Sequence, residues 1–163
     1  VARAYVGLGA NLGDAATAIE RAIAQIALLP ATHLAARSAL YLSAPVDAAG
    51  PDFFNAVAAI DTGLTPRELL DALQALETTH GRRRPYRNAP RTLDLDILLY
   101  DDLVDADPSL TLPHPRMAGR AFVLLPLLEI APRLALPDGR SVALLARTVR
   151  DQKVHKLAPE PRP

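Results

Sequence analysis

The chain has no cysteine and no tryptophan among its 163 residues, and only three phenylalanines and four tyrosines. Without thiols, disulfides, Cys-ligated zinc, iron–sulfur clusters and thiol catalysis are excluded. An excess of charge is missing too: 18 basic residues face 18 acidic ones, for a formal net charge of zero. That balance argues against a general nucleic-acid binder, which usually carries a basic surplus. No apolar run approaches the roughly 18 residues of a membrane span. No signal-peptide pattern opens the sequence, so a soluble cytoplasmic protein with no membrane partner is expected. Half of the residues are apolar, enough to bury a real core in one domain. The expected domain is 1–157, with 158–163 as a disordered Pro-rich tail. Sixteen of the basic residues are arginine. A biased genome produces such an excess, so the clustering of the arginines is the better signal.

The most informative stretch is Arg91-Thr92-Leu93-Asp94-Leu95-Asp96-Ile97. Strand side chains alternate, so Asp94 and Asp96 share one face of a sheet, while Leu93, Leu95 and Ile97 point to a core on the other. Two like charges that close repel unless a cation sits between them. Hard oxygen ligands of this kind suit Mg²⁺, which completes its shell with water and substrate phosphates. Arg82, Arg83, Arg84 and Arg87 precede the pair, and Arg91 lies three residues before Asp94. Arginine forks match phosphate oxygens. The stretch reads as a metal-assisted phosphoryl-transfer site. Taken alone, Asp-x-Asp fits a solvated acidic strand face equally well; the apolar strand and the arginines shift the balance.

Coarse elements follow from periodicity and punctuation. Ala4–Leu8 is a buried strand, ending in the turn Gly9-Ala10-Asn11-Leu12-Gly13, and Asp14 can cap the next helix. Ile19, Ile23 and Ile26 share a face of that helix, and Pro30 stops it. Thr32–Tyr41 is the second strand, Leu42–Asp52 a loop, and Phe53–Asp61 the third strand. Thr65-Pro66-Arg67-Glu68 is a capping box with proline at the first helical position. Leu69, Leu73 and Leu76 form the stripe of the second helix, which ends near Gly81. A polar loop runs to Arg91, Leu93–Tyr100 is the fourth strand, and Asp101-Asp102 make a turn. The order β-α-β-β-α-β is the ferredoxin-like arrangement of an α+β domain. Gly119–Ile130 and Ser141–Arg150 predict two more helices. These would cover the second face of a mainly antiparallel sheet and complete an α-β-α sandwich.

Other motifs are weaker. The arginine loop near Gly81 also fits a charge run at a helix C-terminus, although that accounts for Arg82 and Arg83 more than for the whole series. As a mobile lid over polyphosphate it would use several arginines. Gly7-Leu8-Gly9-Ala10-Asn11-Leu12-Gly13 follows a strand, but Leu12 stands where a dinucleotide fingerprint needs glycine. Phe53 and Asn55 share a strand face, a ring beside an amide, as a flat heteroaromatic ligand requires. His114 lies between prolines near Arg116 and Arg120, where it serves either the loop backbone or a phosphate. Gln74 and Glu77, three residues apart on the second helix, read as a solvated face.

Together these blocks resemble the 6-hydroxymethyl-7,8-dihydropterin pyrophosphokinases of folate biosynthesis, over about Ala4–Leu157. The most specific are Pro90-Arg91-Thr92-Leu93-Asp94-Leu95-Asp96-Ile97 and Leu112-Pro113-His114. Gly9–Gly13, Phe53-Phe54-Asn55-Ala56, Arg120-Ala121-Phe122 and Pro126–Pro132 support them. The resemblance implies transfer of a pyrophosphoryl group from ATP to the pterin hydroxymethyl oxygen, with AMP leaving and two Mg²⁺ ions on Asp94 and Asp96. It implies a pterin held by Gly9, Ser43, Ala44, Val46, Phe53, Asn55 and Phe122. It gives catalytic roles to Arg82 and Arg91 beside the aspartates. It places ATP against Gln74, Glu77, Arg84, Arg87, Ile97, Thr111, His114 and Arg120. Phe53 stands where the family often has tyrosine, and the loop around Arg87-Asn88-Ala89 is short and lacks a tryptophan found in some members. Ser109 stands where some members carry arginine. A monomer acting on small molecules is expected.

Three rival functions share parts of this pattern. An RNA-binding sheet would show stacked aromatics and a basic face rather than two carboxylates. A two-metal phosphodiesterase would need the aspartates but not the Phe53/Asn55 pair. A dinucleotide-dependent reductase would need different glycine spacing.

Overall fold

A computed structural model describes residues 1–45, 51–81 and 93–158. The elements are β1 (Ala2–Ala10), α1 (Ala15–Ala27), β2 (Thr32–Arg37), β3 (Tyr41–Ser43), β4 (Phe53–Thr62), α2 (Pro66–Thr79), β5 (Asp94–Tyr100), α3 (Ala121–Ile130), α4 (Val142–Thr148) and β6 (Val154–Lys156), with a 3-10 turn at Met117–Gly119 before α3. In the sheet β1 lies between β4 and β5. Both β2 and β3 pair with the far edge of β4, and β6 adds outside β3. Every one of these pairings is antiparallel. The unit β1-α1-β2 straddles β4, and β4-α2-β5 straddles β1, which is the interleaved ferredoxin-like order expected from the sequence.

The two sheet faces bury two cores. On one face Val6, Leu8, Ala58, Ile60, Leu95 and Ile97 pack against Ile19, Ile23 and Ile26 of α1 and Leu69 and Leu73 of α2. On the other, Tyr5, Val57, Ala59, Leu98 and Leu99 pack against Leu124 and Leu127 of α3 and Val142 and Ala146 of α4. The predicted α-β-α sandwich is present. Asp14 accepts from the Thr17 amide at the start of α1, and Thr65 and Glu68 form the reciprocal capping box of α2.

Three features differ from the sequence reading. The expected strand Thr32–Tyr41 stops at Arg37, and a separate strand, β3, takes Tyr41 together with Leu42 and Ser43 of the expected loop Leu42–Asp52, because side chains replace the ladder between them. Ser38 exchanges bonds with Val57 through both its amide and its hydroxyl, each at 2.9 Å. The Glu129 carboxylate accepts from the Ala39 amide at 3.1 Å and from the Tyr41 hydroxyl at 2.7 Å. The expected third helix starts at Ala121 rather than Gly119, since the residues before it form the 3-10 turn; Pro126 lies inside it. The strand β6 was not anticipated, being three residues long and largely exposed. The tail 159–163 and the loop at 46–50 lie outside the described residues.

The helices on the first face meet at His80, whose ring Nε2 lies 2.6 Å from Gln25 Oε1 of α1. Burial first, and the Arg21 charge second, hold this imidazole below the ordinary histidine value. The unfolded chain therefore takes up the proton first as pH falls, and stability rises with pH across that window. Denaturant titrations at pH about 7.5 and about 5.5, either side of the ordinary value near 6.5, are expected to show a loss of stability on acidification that is smaller in His80→Gln. Equal losses in both proteins would contradict this assignment.

Candidate active site

The site begins with the register of β1. Gly9 pairs with Asn55 on one side and Asp94 on the other, and Gly7 pairs with Val57 and Asp96. These residues alternate onto the face that α3 and α4 cover only in part. Two rows therefore cross the sheet: Asn55–Gly9–Asp94 and Val57–Gly7–Asp96. The centre of each row has no side chain. Strands lie about 4.8 Å apart, so the amide wall and the carboxylate wall stand roughly 10 Å apart over a flat floor. A cavity of about 220 Å³ fills this space. Phe53, Ser43, Ala44, His114, Arg120 and Phe122 complete its rim.

The floor is kept open by the glycines. A Cβ on Gly9 would come to 3.5 Å from Asn55 Oδ1, and one on Gly7 to 3.3 Å from a Leu98 methyl. The Asn55 amide is oriented by the protein itself. Its Nδ2 donates to Ser43 Oγ at 2.7 Å and to the Phe53 carbonyl at 3.3 Å. A carbonyl can only accept, so both N–H groups are spent inward and Oδ1 remains as an acceptor above Gly9. A ligand at this wall needs an N–H on its edge.

The opposite wall is built by β5. A bulge at Leu98 shifts the register, so Leu98 and Leu99 both face the second core. The Leu98 carbonyl accepts from the His114 amide at 2.9 Å, which ties the His114 loop to the aspartate strand. The Arg116 amide donates to His114 Nδ1 at 3.2 Å. Nδ1 is thus the acceptor, and a neutral ring carries its proton on Nε2 as a donor. Burial pushes this imidazole down; Asp96 pulls it up, while Arg120 and Arg116 push it further down. Across the rim, the Arg120 guanidinium lies 5.4 Å from the centroid of the Phe122 ring.

Of the residues singled out from the sequence, Gly9, Ser43, Ala44, Phe53, Asn55, Asp94, Asp96, His114, Arg120 and Phe122 come together around one cavity. Gln74 is exposed on α2 as a solvated face would be, but Glu77 is buried, which corrects the reading of the pair. Glu77 Oε2 accepts from the Leu95 amide at 3.0 Å. That amide lies between the two aspartates, on the edge of β5 away from β1. Glu77 thereby satisfies a strand-edge donor and fixes the backbone that displays Asp94 and Asp96. The Ile97 side chain packs in the core of the opposite face, and the Thr111 hydroxyl donates to the Asp107 carbonyl at 3.0 Å. Neither lines the cavity. Val46, Arg82, Arg84, Arg87 and Arg91 lie outside the described residues, as does all of the proposed lid beyond Gly81. The sequence reading missed Gly7, Val57, Leu98 and Val123, which line the cavity; the alternation of β1, β4 and β5 was the signal available for the first three.

Among the described residues no group of three His, Asp or Glu side chains converges as a closed metal cage. Two carboxylates on one strand face, open to a cavity ringed by donors, fit a hard cation that also takes phosphate oxygens.

The family described as 7,8-dihydro-6-hydroxymethylpterin-pyrophosphokinase (HPPK) matches residues 5–132. The 2-amino-4-hydroxy-6-hydroxymethyldihydropteridine pyrophosphokinase of Pseudomonas aeruginosa is 47% identical over 158 residues, covering 96% of this chain and 98% of its own. The Haemophilus influenzae protein of the same name is 43% identical over 157 residues, with coverage of 96% and 98%. Among solved structures, an HPPK-DHPS in complex with substrates superposes with a TM-score of 0.70 at 11% identity, over 90% of this chain and 43% of that one. Wild-type Plasmodium falciparum HPPK-DHPS with SDX-DHP gives 0.70 at 14% identity, over 91% and 43%. At these identities the likeness is one of fold, and this chain spans under half of those longer chains.

The Glu77 contact makes a direct prediction. Glu77→Ala is expected to cost about 1–3 kcal/mol in urea unfolding by orphaning the Leu95 amide, whereas Glu77→Gln, which keeps an acceptor, should retain most of that. Matching stabilities for the two variants would mean that the carboxylate does not hold the strand.

Proposed function

The chain belongs to the 7,8-dihydro-6-hydroxymethylpterin pyrophosphokinase family, and on that premise we propose that its two cavity walls divide the work, Asn55 and Phe122 holding the pterin and Asp94 and Asp96 serving the ATP polyphosphate. The reaction is transfer of pyrophosphate from ATP to the hydroxymethyl group of the dihydropterin, in folate biosynthesis, with release of AMP. The observation that carries the division is the pair of cross-strand rows, with glycine at the centre of each.

The pterin edge presents N–H donors, which suit the fixed Asn55 acceptor. Phe122 and Phe53 supply ring faces. Ser43 holds the Asn55 amide, while the backbone of Ser43, Ala44 and Val46 lies in the segment that the resemblance assigns to the same edge. Asp94 and Asp96 would hold Mg²⁺, two ions on the reading that the resemblance carries. A metal held there would supply charge neutralisation for the polyphosphate and a more nucleophilic hydroxyl. His114, with its Nε2–H, and Arg120 donate to phosphate oxygens. The hydroxymethyl oxygen attacks the β-phosphorus, the bond to the α,β-bridging oxygen breaks, and the hydroxyl proton leaves to solvent. Alignment and charge stabilisation carry such a transfer, and no side-chain base is assigned. Arg82, Arg84, Arg87 and Arg91 are proposed to close over the phosphates, with Gln74, Glu77, Ile97 and Thr111 near the nucleotide. For Glu77 the role is indirect, through the backbone of β5.

Two observations disfavour an RNA-binding sheet and a phosphodiesterase. The carboxylate-bearing sheet face is partly covered by α3 and α4 and offers no open RNA platform. A phosphodiesterase leaves the oriented Asn55 acceptor without purpose.

The division is tested by measuring binding of each substrate separately. Asn55→Ala and Phe122→Ala are expected to weaken pterin binding by about 1–3 kcal/mol and leave binding of a Mg²⁺–ATP analogue near wild type. Asp96→Asn is expected to do the reverse while retaining the fold, since it removes a charged ligand and relieves repulsion. Parallel losses for both substrates in all three variants would refute two separate walls.

A further inference from the structure

We propose that Gln152 is a positioning residue, which holds Arg120 and Phe122 in place from the C-terminal segment. The inference rests on the assignment of those two side chains to the site.

The side-chain amide of Gln152 grips the backbone on both sides of Arg120. Its Nε2 donates to the Gly119 carbonyl at 2.9 Å, and its Oε1 accepts from the Ala121 amide at 2.9 Å. Those groups lie 33 and 31 residues earlier in the chain. The contact answers a deficit in α3. At the starts of α1, α2 and α4 the side chains of Asp14, Thr65 and Ser141 accept first-turn amides. At the start of α3 stands Arg120, which makes no capping bond, and the first turn holds no acidic residue. An arginine selected for phosphate cannot also cap, because guanidinium has no acceptor. Gln152 supplies the acceptor from elsewhere, and its donor also closes the 3-10 turn ahead of the helix.

The same segment fastens the opposite rim. Its own amide donates to the Val149 carbonyl at 3.0 Å, which anchors Gln152 to the end of α4. Two residues on, Val154 begins β6 and pairs with Ser43 of β3, the partner of Asn55. Leu157 donates to the Leu40 carbonyl at 2.8 Å, and Lys156 lies 3.5 Å from Glu129. Residues 152–157 thus strap the roof, made by the start of α3, to the wall that carries Ser43. Gln152 lines a second, outer cavity behind Phe122 and Arg120 rather than the main one. It acts through those two residues and not on substrate. Its side chain is exposed, so its loss should spare the core while loosening the first turn of α3.

The test uses the full chain and two independent readouts. In Gln152→Ala and Gln152→Leu, amide exchange in the first turn of α3 is expected to speed up, and the pterin KM to rise by about 5–10-fold, with a fall in Tm of only a few degrees, as the loss of one helix cap would give. Gln152→Glu keeps the acceptor for the Ala121 amide at a helix N-terminus but loses the donor to the Gly119 carbonyl, so its exchange is expected to be slower and its pterin KM lower than in the Ala variant, without full return to wild type. Wild-type exchange in the Ala variant would overturn the fastening. Faster exchange with wild-type pterin KM would overturn the positioning role and leave a cap only. If Phe122→Ala itself leaves pterin binding intact, the site assignment fails instead, and the exchange result still judges the strap.

Discussion

Everything at this site depends on the register of β1 between β4 and β5. With the side-chain period of two, the pairing that sets Gly9 between Asn55 and Asp94 also sets Gly7 between Val57 and Asp96. A slip of one residue would turn over the strand that slips, sending both aspartates into the core if it is β5 or bringing Val6 and Leu8 out of it if it is β1. The hydrophobic alternation forbids that slip, since Ala4, Val6, Leu8, Leu95 and Ile97 are buried against α1 and α2. The forces that fold the first face therefore also place the chemistry on the second. The glycines are the other half of the constraint. Any side chain at their positions would stand between the ring wall and the carboxylate wall.

Around that floor, the walls are held by side chains bonded to backbone. Glu77 holds the edge of β5 between the two aspartates, and Glu129 holds the break between β2 and β3 that lets Ser43 reach Asn55. Gln152 closes the start of α3. They work at a strand edge, a strand break and a helix start, where the regular ladder leaves donors and acceptors without partners. These places border the cavity, so satisfying the backbone and shaping the cavity are one task.

Much of this was readable before the fold was known, and the boundary is physical. Local signals carried over: the alternation of β5, the capping box at Thr65, the stripes of α1 and α2. The Asp94/Asp96 and Phe53/Asn55 pairs emerged on the expected face because they share a two-residue spacing within strands. What was hidden depended on distant partners. The strand at 32–41 looks continuous until Glu129, 90 residues from Ala39, takes its amide. β6 has too few residues and too little apolar content to announce itself; it exists because β3 offers an edge. Glu77 looked solvated because its spacing from Gln74 carries no trace of the Leu95 amide it meets. Gln152 lies in a polar stretch with no pattern at all. The arginine loop, prominent in the sequence, falls outside the described residues.

The central claim is that Asp94 and Asp96 are where metal and polyphosphate meet, above the glycine floor. The most direct measurement replaces Mg²⁺ with Mn²⁺ in the presence of a non-hydrolysable ATP analogue and records paramagnetic broadening of the backbone amides. The account predicts that broadening centres on Asp94, Leu95 and Asp96, extends to Gly7, Gly9 and His114, and spares the acidic turn from Asp101 to Asp107. Broadening centred on that turn instead, with β5 unaffected, would contradict it.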